Sequence, residues 1–109
     1  MSRLTSAMRV SALVRRVNAV GGSAMVLARG DPMSGAILIL FLDRGERPRF
    51  GERGLGEDGR LIESGPRGAD SQTVQAYWQR RRDRDPDLWV VEVDVAEGER
   101  FADETIATG

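Results

Sequence analysis

The strongest strand signal in the sequence is the stretch Leu88-Trp89-Val90-Val91-Glu92-Val93-Asp94-Val95. Its odd-numbered positions are all apolar, whereas its even-numbered positions include the acids Glu92 and Asp94. Successive side chains of a strand point to opposite faces of a sheet. The alternation therefore predicts a strand with one fully apolar face and one mixed face.

The stretch Ala36–Leu42 predicts another strand, because it is an unbroken apolar run. It is long enough for a strand buried on both faces and too short for a typical helix. Ser23–Arg29 has the composition of a third strand, and a short loop with Pro32 in turn position separates the two stretches. We therefore expect them to be antiparallel neighbours at the centre of the sheet.

Two helices are predicted around these strands. The first occupies residues 6–20, since apolar residues recur there at helical spacing and two glycines follow as a stop. The second occupies residues 71–84, with Asp70 or Ser71 as its cap and Pro86 ending it.

The glycine-rich residues 44–69 give weaker signals. Phe50 and Leu55 mark a strand, Asp58-Gly59 is a favoured hairpin dipeptide, and Leu61–Glu63 is the return strand. These residues therefore predict a hairpin at one side of the sheet.

The C-terminal end is predicted to add Arg100–Ala102 as a short edge strand, with residues 104–109 as a frayed tail. A chain of 109 residues can form one core and is too short for two ordinary domains, so residues 1–109 are expected to be a single domain. The order of elements predicts an α+β fold, with a small antiparallel or mixed sheet of about four to six strands and two helices packed on one face.

Composition removes much of enzyme chemistry. The sequence has no cysteine, histidine or lysine, and all sixteen cationic side chains are arginine. This excludes disulfides, thiolate and histidine metal sites, serine–histidine triads and lysine Schiff bases. We assign no catalytic residue, no metal ligand and no cofactor, and whether the protein is an enzyme stays open.

Charge is unevenly distributed along the chain. Residues 1–29 hold five arginines and no acid, whereas residues 70–109 hold five arginines and ten acids. The two ends can attract each other within one fold or between two copies, so the predicted partners are a second copy or an unknown protein. Arginines interrupt every apolar stretch of the first thirty residues. This argues against a signal peptide or a membrane span, so no membrane partner is predicted.

Arg81 is the most informative arginine of the cluster Arg80–Arg84. Helical spacing places it on the apolar face formed by Val74, Tyr77 and Trp78. Its guanidinium must therefore either reach out to solvent or pair with a carboxylate as that face closes. Glu92 on the following strand is the predicted partner. The pair either ties helix to sheet or leaves Arg81 as an anion-binding residue in a cleft.

Two alternatives use the remaining charges. The arginines of both helices suggest a nucleic-acid binder, but residues 70–87 hold four arginines against four acids, so nucleic acid is disfavoured as a partner. Asp87, Glu92 and Asp94 suggest a metal-dependent hydrolase, although the lysine usual in such nuclease motifs is missing. The candidate binding residues are Arg81, Asp87, Trp89 and Glu92.

Two parts of the sequence together resemble a small bacterial family, the domain of unknown function 1491, known mainly from alphaproteobacteria. They are Ala12–Gly22 with Arg29-Gly30-Asp31-Pro32 and Gly35-Ala36, and Asp85-Pro86-Asp87-Leu88-Trp89-Val90-Val91-Glu92. The resemblance spans about residues 12–101 and implies a bacterial cytoplasmic protein, with no activity or catalytic residue to carry over.

The leading hypothesis is a non-catalytic binding or scaffolding module, with a homodimer as one form it could take. It follows from the missing catalytic residue types and from an open sheet whose edges can pair. The nucleic-acid binder and the metal-dependent hydrolase are the alternatives.

Overall fold

The fold of the chain is given by a computed structural model that describes residues 4–54 and 59–107. Its helices are α1 (Ser6–Ala19), α2 (Ser71–Arg84) and α3 (Gly98–Ala102), followed by a π-helical segment, Asp103–Ala107. Five strands form one sheet: β1 (Ser23–Ala28), β2 (Ile37–Asp43), β3 (Glu46–Arg53), β4 (Leu61–Ser64) and β5 (Trp89–Asp94). The predicted α+β class with a mixed sheet is confirmed.

The strand order is β1-β5-β2-β3-β4, so β5 lies between β1 and β2. It pairs antiparallel with β1 and parallel with β2. The prediction that Ser23–Arg29 and Ala36–Leu42 are neighbours is therefore wrong. Burial gives the reason: Leu88–Val91 is buried on both faces and suits an inner position, whereas β1 alternates between exposed and half-buried residues as an edge strand does.

Helices cover both faces of the sheet, which corrects the prediction that two helices pack on one face. On the α1 face, Ile39 and its odd-numbered neighbours in β2 pack against Leu13 of α1. On the α2 face, Leu38 and Leu40 pack against Val74 of α2. A strand that is apolar at every position exposes apolar side chains on both faces, and each face then needs its own cover.

The C-terminal end is helical, so the predicted edge strand Arg100–Ala102 and the frayed tail are both wrong for the residues described. Ala102 and Ile106 lie one helical turn apart and are buried in the core on the α1 face. The Arg9 guanidinium donates to the carbonyls of Thr105 and Ile106, at 3.4 and 3.2 Å. Thr108 and Gly109 lie outside the described residues.

The basic and acidic ends of the chain meet within one fold. Arg16 of α1 forms an ion pair with Glu104 of the π-helical segment. This contact holds α1 against the C-terminal helical segments, which contact β2, β3 and β4. The predicted attraction between the two ends of the chain, in its form within one fold, therefore accounts for this contact.

The predicted hairpin in the glycine-rich region is confirmed where the structure describes it. Phe50 lies in β3, and Leu61–Ser64 forms the antiparallel return strand β4. Leu55 and Asp58 lie outside the described residues. Of the described helices, none is long and apolar enough to cross a membrane.

Candidate functional site

Arg81 pairs with a carboxylate as predicted, but the partner is Glu52 of β3 and not Glu92. The two terminal guanidinium nitrogens of Arg81, Nη1 and Nη2, donate to the two carboxylate oxygens of Glu52, each at 2.8 Å. One of these nitrogens also donates to the Tyr77 hydroxyl at 2.8 Å. This bidentate pair joins α2 to β3, so the geometry supports the structural role of Arg81.

Glu52 is the residue at this contact that the sequence did not single out. It follows Phe50 on the same face of β3, and the Phe50 ring packs on Tyr77 at 4.8 Å between centroids. The hydrogen bonds from Arg81 lower the pKa of the Glu52 carboxyl, whereas burial raises it. The usable signal was the spacing Phe50-x-Glu52, which places an acid beside an apolar residue on one strand face.

Trp89 and Asp87 belong to a structural junction between two loops. The Trp89 indole N–H donates to the Asp31 carbonyl at 2.8 Å, and the Asp31 N–H donates to the Asp87 carbonyl at 2.9 Å. The Arg29 guanidinium lies over the Trp89 ring at 5.5 Å. Trp89 is buried and the Asp87 side chain is exposed, so Asp87 acts through its backbone.

Glycine is needed where the two loops meet. A Cβ on Gly30 would lie 2.1 Å from the Asp87 carbonyl oxygen, and one on Gly35 would lie 2.2 Å from it. The two sequence stretches that carry the family resemblance thus pack against each other here. The hydrogen bonds and close packing between these stretches fix where the chain enters β2 and β5.

The acids proposed for a metal-dependent hydrolase are not brought together. Asp94 accepts the backbone N–H groups of Arg44 and Gly45, each at 2.8 Å, and so closes the β2–β3 turn. Asp87 lies before the opposite end of β5. Within residues 4–54 and 59–107, no group of three acids is placed to hold a metal ion.

The arginines of the two helices do not share a surface, because α1 and α2 lie on opposite faces of the sheet. In the cluster Arg80–Arg84, Arg81 is paired with Glu52. Arg82 donates to the backbone carbonyls of Arg29, Pro86 and Leu88. These two arginines serve the fold, and Arg80 and Arg84 remain exposed.

Glu92 lies in a groove of about 460 Å³ on the α2 face, which we call the Glu92 groove. Its register neighbours are Met25 on β1 and Leu40 on β2. Among the residues that the structure describes, no hydrogen bond or ion pair holds the half-buried Glu92 carboxylate. The apolar side chains that line the groove are Leu27, Leu40, Leu42, Val74 and Trp78.

The Glu92 groove exists because the two faces are covered unequally. On the α1 face, α1 contacts β1 and β5 while the C-terminal helical segments contact β2, β3 and β4. On the other face, α2 packs on β2, β3 and the start of β5. Met25 points to the uncovered side and is 53% exposed.

Comparison with known proteins places the chain among bacterial proteins of the same size and fold. The family model for a "Protein of unknown function (DUF1491)" matches residues 4–103. A solution structure of a protein from Agrobacterium tumefaciens is 33% identical with a TM-score of 0.74, and the match covers 88% of this chain and 89% of that one. No curated protein matches the sequence.

Two structures of DUF1491 family proteins from Caulobacter crescentus are also similar. The crystal structure is 30% identical with a TM-score of 0.77, and the match covers 90% of this chain and 92% of that one. The NMR structure is 31% identical with a TM-score of 0.76, covering 93% and 94%. Neither the family nor these structures is described with an activity. The resemblance predicted from the two parts of the sequence is confirmed, and the chain belongs to the DUF1491 family of proteins of unknown function.

Proposed function

We propose that this protein is a non-catalytic binding module that holds an amphipathic helix of a partner protein in the Glu92 groove. The observation that carries the proposal is the uncovered half of the α2 face, where apolar side chains surround the Glu92 carboxylate.

The dimensions of the sheet favour a helix as the occupant. Strands lie about 4.8 Å apart, so five strands span about 20 Å, and a helix with its side chains is about 10 Å wide. Each face therefore has room for two helical segments. The α1 face has two, and the α2 face has α2 alone among the described elements. The space beside α2, over β1 and the second half of β5, has the width of one helix.

The lining of the groove indicates which helix fits. Leu27, Leu42 and Trp78 offer apolar contacts, so the partner helix needs an apolar stripe at helical spacing. Glu92 sits on the floor of the groove between two strands and selects a basic residue within that stripe. An arginine or lysine there forms a charge-assisted hydrogen bond that becomes shielded from water when the helix docks.

The role of Glu92 is mainly one of selection. A carboxylate covered by a purely apolar helix would lose its hydration without compensation, which disfavours wrong partners. A cation in the correct position removes that penalty. We infer that the protein acts in the cytoplasm, because the arginine-bearing α1 is packed into the core as part of the domain.

Site-specific photo-crosslinking in cells of the source bacterium tests the proposal. A photoreactive residue replaces Gln75, which lines the groove, and in a control replaces Ala76, which is exposed on the next position of α2. We expect a discrete adduct from position 75 and none from position 76, with the crosslinked peptide of the partner belonging to a basic amphipathic helix.

A charge reversal at Glu92 gives the specific control. Glu92→Arg should weaken capture at position 75 by about tenfold or more, since like charges then meet in the groove. Asp83→Arg makes the same charge change on the exposed side of α2 and should leave capture unchanged. Equal adducts from positions 75 and 76, or full capture by Glu92→Arg, would refute the proposal.

A further inference from the structure

We propose that the protein forms a two-fold symmetric homodimer in which β1 pairs antiparallel with β1 of a second copy. The inference does not rest on a partner helix in the Glu92 groove, although Met25 lies beside Glu92 in the strand register. It rests on the chemistry of the β1 edge and of the flank of α1 that lies above it.

The two edges of the sheet differ in chemistry. The edge strand β4 has four residues and carries Glu63, whose exposed carboxylate pairs with Arg67. Short length and charge are the usual means by which an edge strand avoids pairing with another chain. The other edge strand, β1, has six residues, Ser-Ala-Met-Val-Leu-Ala, with neither a charge nor a proline. It is open to a further strand.

The flank of α1 above this edge is also uncharged. Arg9 and Arg16 of α1 point toward the C-terminal helical segments, which lie on the β4 side of the sheet. At 3.6 residues per turn, the opposite flank of the helix carries a different set of residues. They are Ala7, Ser11, Val14 and Asn18.

A two-fold axis perpendicular to the sheet brings the β1 edge and the α1 flank each against the same feature of the second copy. It pairs β1 with β1 antiparallel, keeps both α1 helices on one side, and places the two uncharged flanks together. Met25, exposed at 53% near the middle of β1, then lies close to Met25 of the second copy on the other side. Like charges directly opposite each other destabilise strand pairs, and β1 presents none.

The occupant is therefore a second copy rather than a charged partner strand. Sheet-edge pairing supplies backbone hydrogen bonds along six residues, and the α1 flanks supply side-chain contacts above it. Together they form one continuous surface of strand and helix. The resulting dimer has a ten-stranded sheet with the β4 strands at its ends.

Sedimentation equilibrium of the full chain tests the dimer, with charge variants at the axis. We expect the parent chain to sediment at twice its 12.0 kDa mass at concentrations of tens of micromolar. Met25→Glu and Met25→Lys, each alone, should weaken the dimer by about tenfold or more. An equimolar mixture of the two should restore dimers, because opposite charges then meet at the axis.

The matched control is Ile62 on the opposite edge strand, which is 50% exposed. Ile62→Glu and Ile62→Lys should leave the sedimenting mass unchanged. The proposal is overturned if the parent chain stays monomeric at hundreds of micromolar, if the Ile62 variants dissociate as readily as the Met25 variants, or if the Met25 mixture stays monomeric.

Hydrogen exchange of the parent chain gives a measurement that needs no variant. The β1 amides that face the open edge should be protected at concentrations where the dimer forms and lose protection on dilution. The β4 amides should show no such change. Exchange in β1 that is independent of concentration would overturn the proposal.

Discussion

Replacing Arg81 by alanine should destabilise the fold substantially, because the change leaves Glu52 without its partner against the α2 face. Arg81→Ala removes two hydrogen bonds to the Glu52 carboxylate and one to the Tyr77 hydroxyl. Breaking a buried ion pair from one side costs about 3–5 kcal/mol. The Arg81 and Glu52 side chains keep 29% and 19% of their exposure, so water hydrates part of the stranded charge. We therefore expect a loss of about 2–3 kcal/mol in the free energy of unfolding.

The assay is urea unfolding at neutral pH, followed by the fluorescence of Trp78 and Trp89. Arg80→Ala is the matched control, since Arg80 is the exposed neighbour on the same helix, and it should change stability by no more than about 0.5 kcal/mol. The double variant Arg81→Met with Glu52→Met should return to within about 1 kcal/mol of the parent, because apolar side chains replace both charges. The reasoning is refuted if Arg81→Ala and Arg80→Ala lose the same stability. It is also refuted if the double variant loses as much stability as Arg81→Met and Glu52→Met, measured separately, lose in sum.

The same pair makes stability depend on acid pH. Arg81 holds the pKa of Glu52 below its ordinary value, so the folded state binds the Glu52 proton less readily than the unfolded state does. The stabilisation is complete above the unfolded value of about 4.3 and is lost as pH falls through the lower folded value. The difference between the parent and Arg81→Ala should therefore shrink as urea unfolding is repeated toward acid pH. A difference that stays constant to low pH would contradict the linkage.

Three further changes test other contacts by the same unfolding assay. Asp94→Ala removes the carboxylate that accepts two backbone N–H groups of the β2–β3 turn and should cost about 1–3 kcal/mol; unchanged amide exchange in the turn would contradict this. Gly30→Ala places a Cβ 2.1 Å from the Asp87 carbonyl and should cost about 2–3 kcal/mol or prevent folding, so a variant of parental stability would argue against the junction. Ile106→Ala should cost about 2–4 kcal/mol because Ile106 is buried, whereas a loss of under about 0.5 kcal/mol would indicate a frayed C-terminal end.

Local patterns predicted the elements well. The alternation of Leu88–Val95 and the unbroken run Ala36–Leu42 identified β5 and β2. The spacing of apolar side chains along a strand indicates whether one face or both faces are buried. Asp70 was one of the two predicted caps of α2, and its carboxylate accepts the Thr73 N–H at 2.8 Å. At the C-terminal end, Arg100–Ala102 is too short for period to distinguish strand from helix, and the contact of Ile106 with the core decided it.

Long-range pairing was harder to predict. The choice of Glu52 over Glu92 as the partner of Arg81 depends on where α2 crosses the sheet, and no local pattern encodes that position. Both acids satisfied the requirement for a nearby carboxylate. The apolar face of α2 and the acids of β5 were recognised, but the Glu92 groove arises from a helix that covers only part of one face, which is a property of the assembled layers.

The insertion of β5 between β1 and β2 also sets an order for assembly during synthesis. Strands β2, β3 and β4 follow one another in sequence and pair as a meander, so they can form once the ribosome has released the chain through Ser64. β1 is made before all of them and has no partner until Trp89–Asp94 emerges. Contacts between distant residues form slowly, and unpaired edges are prone to aggregation in the interval. A nascent chain that stalls before residue 89 would thus display an uncharged β1 and an open β2 edge to the chaperones of the cell.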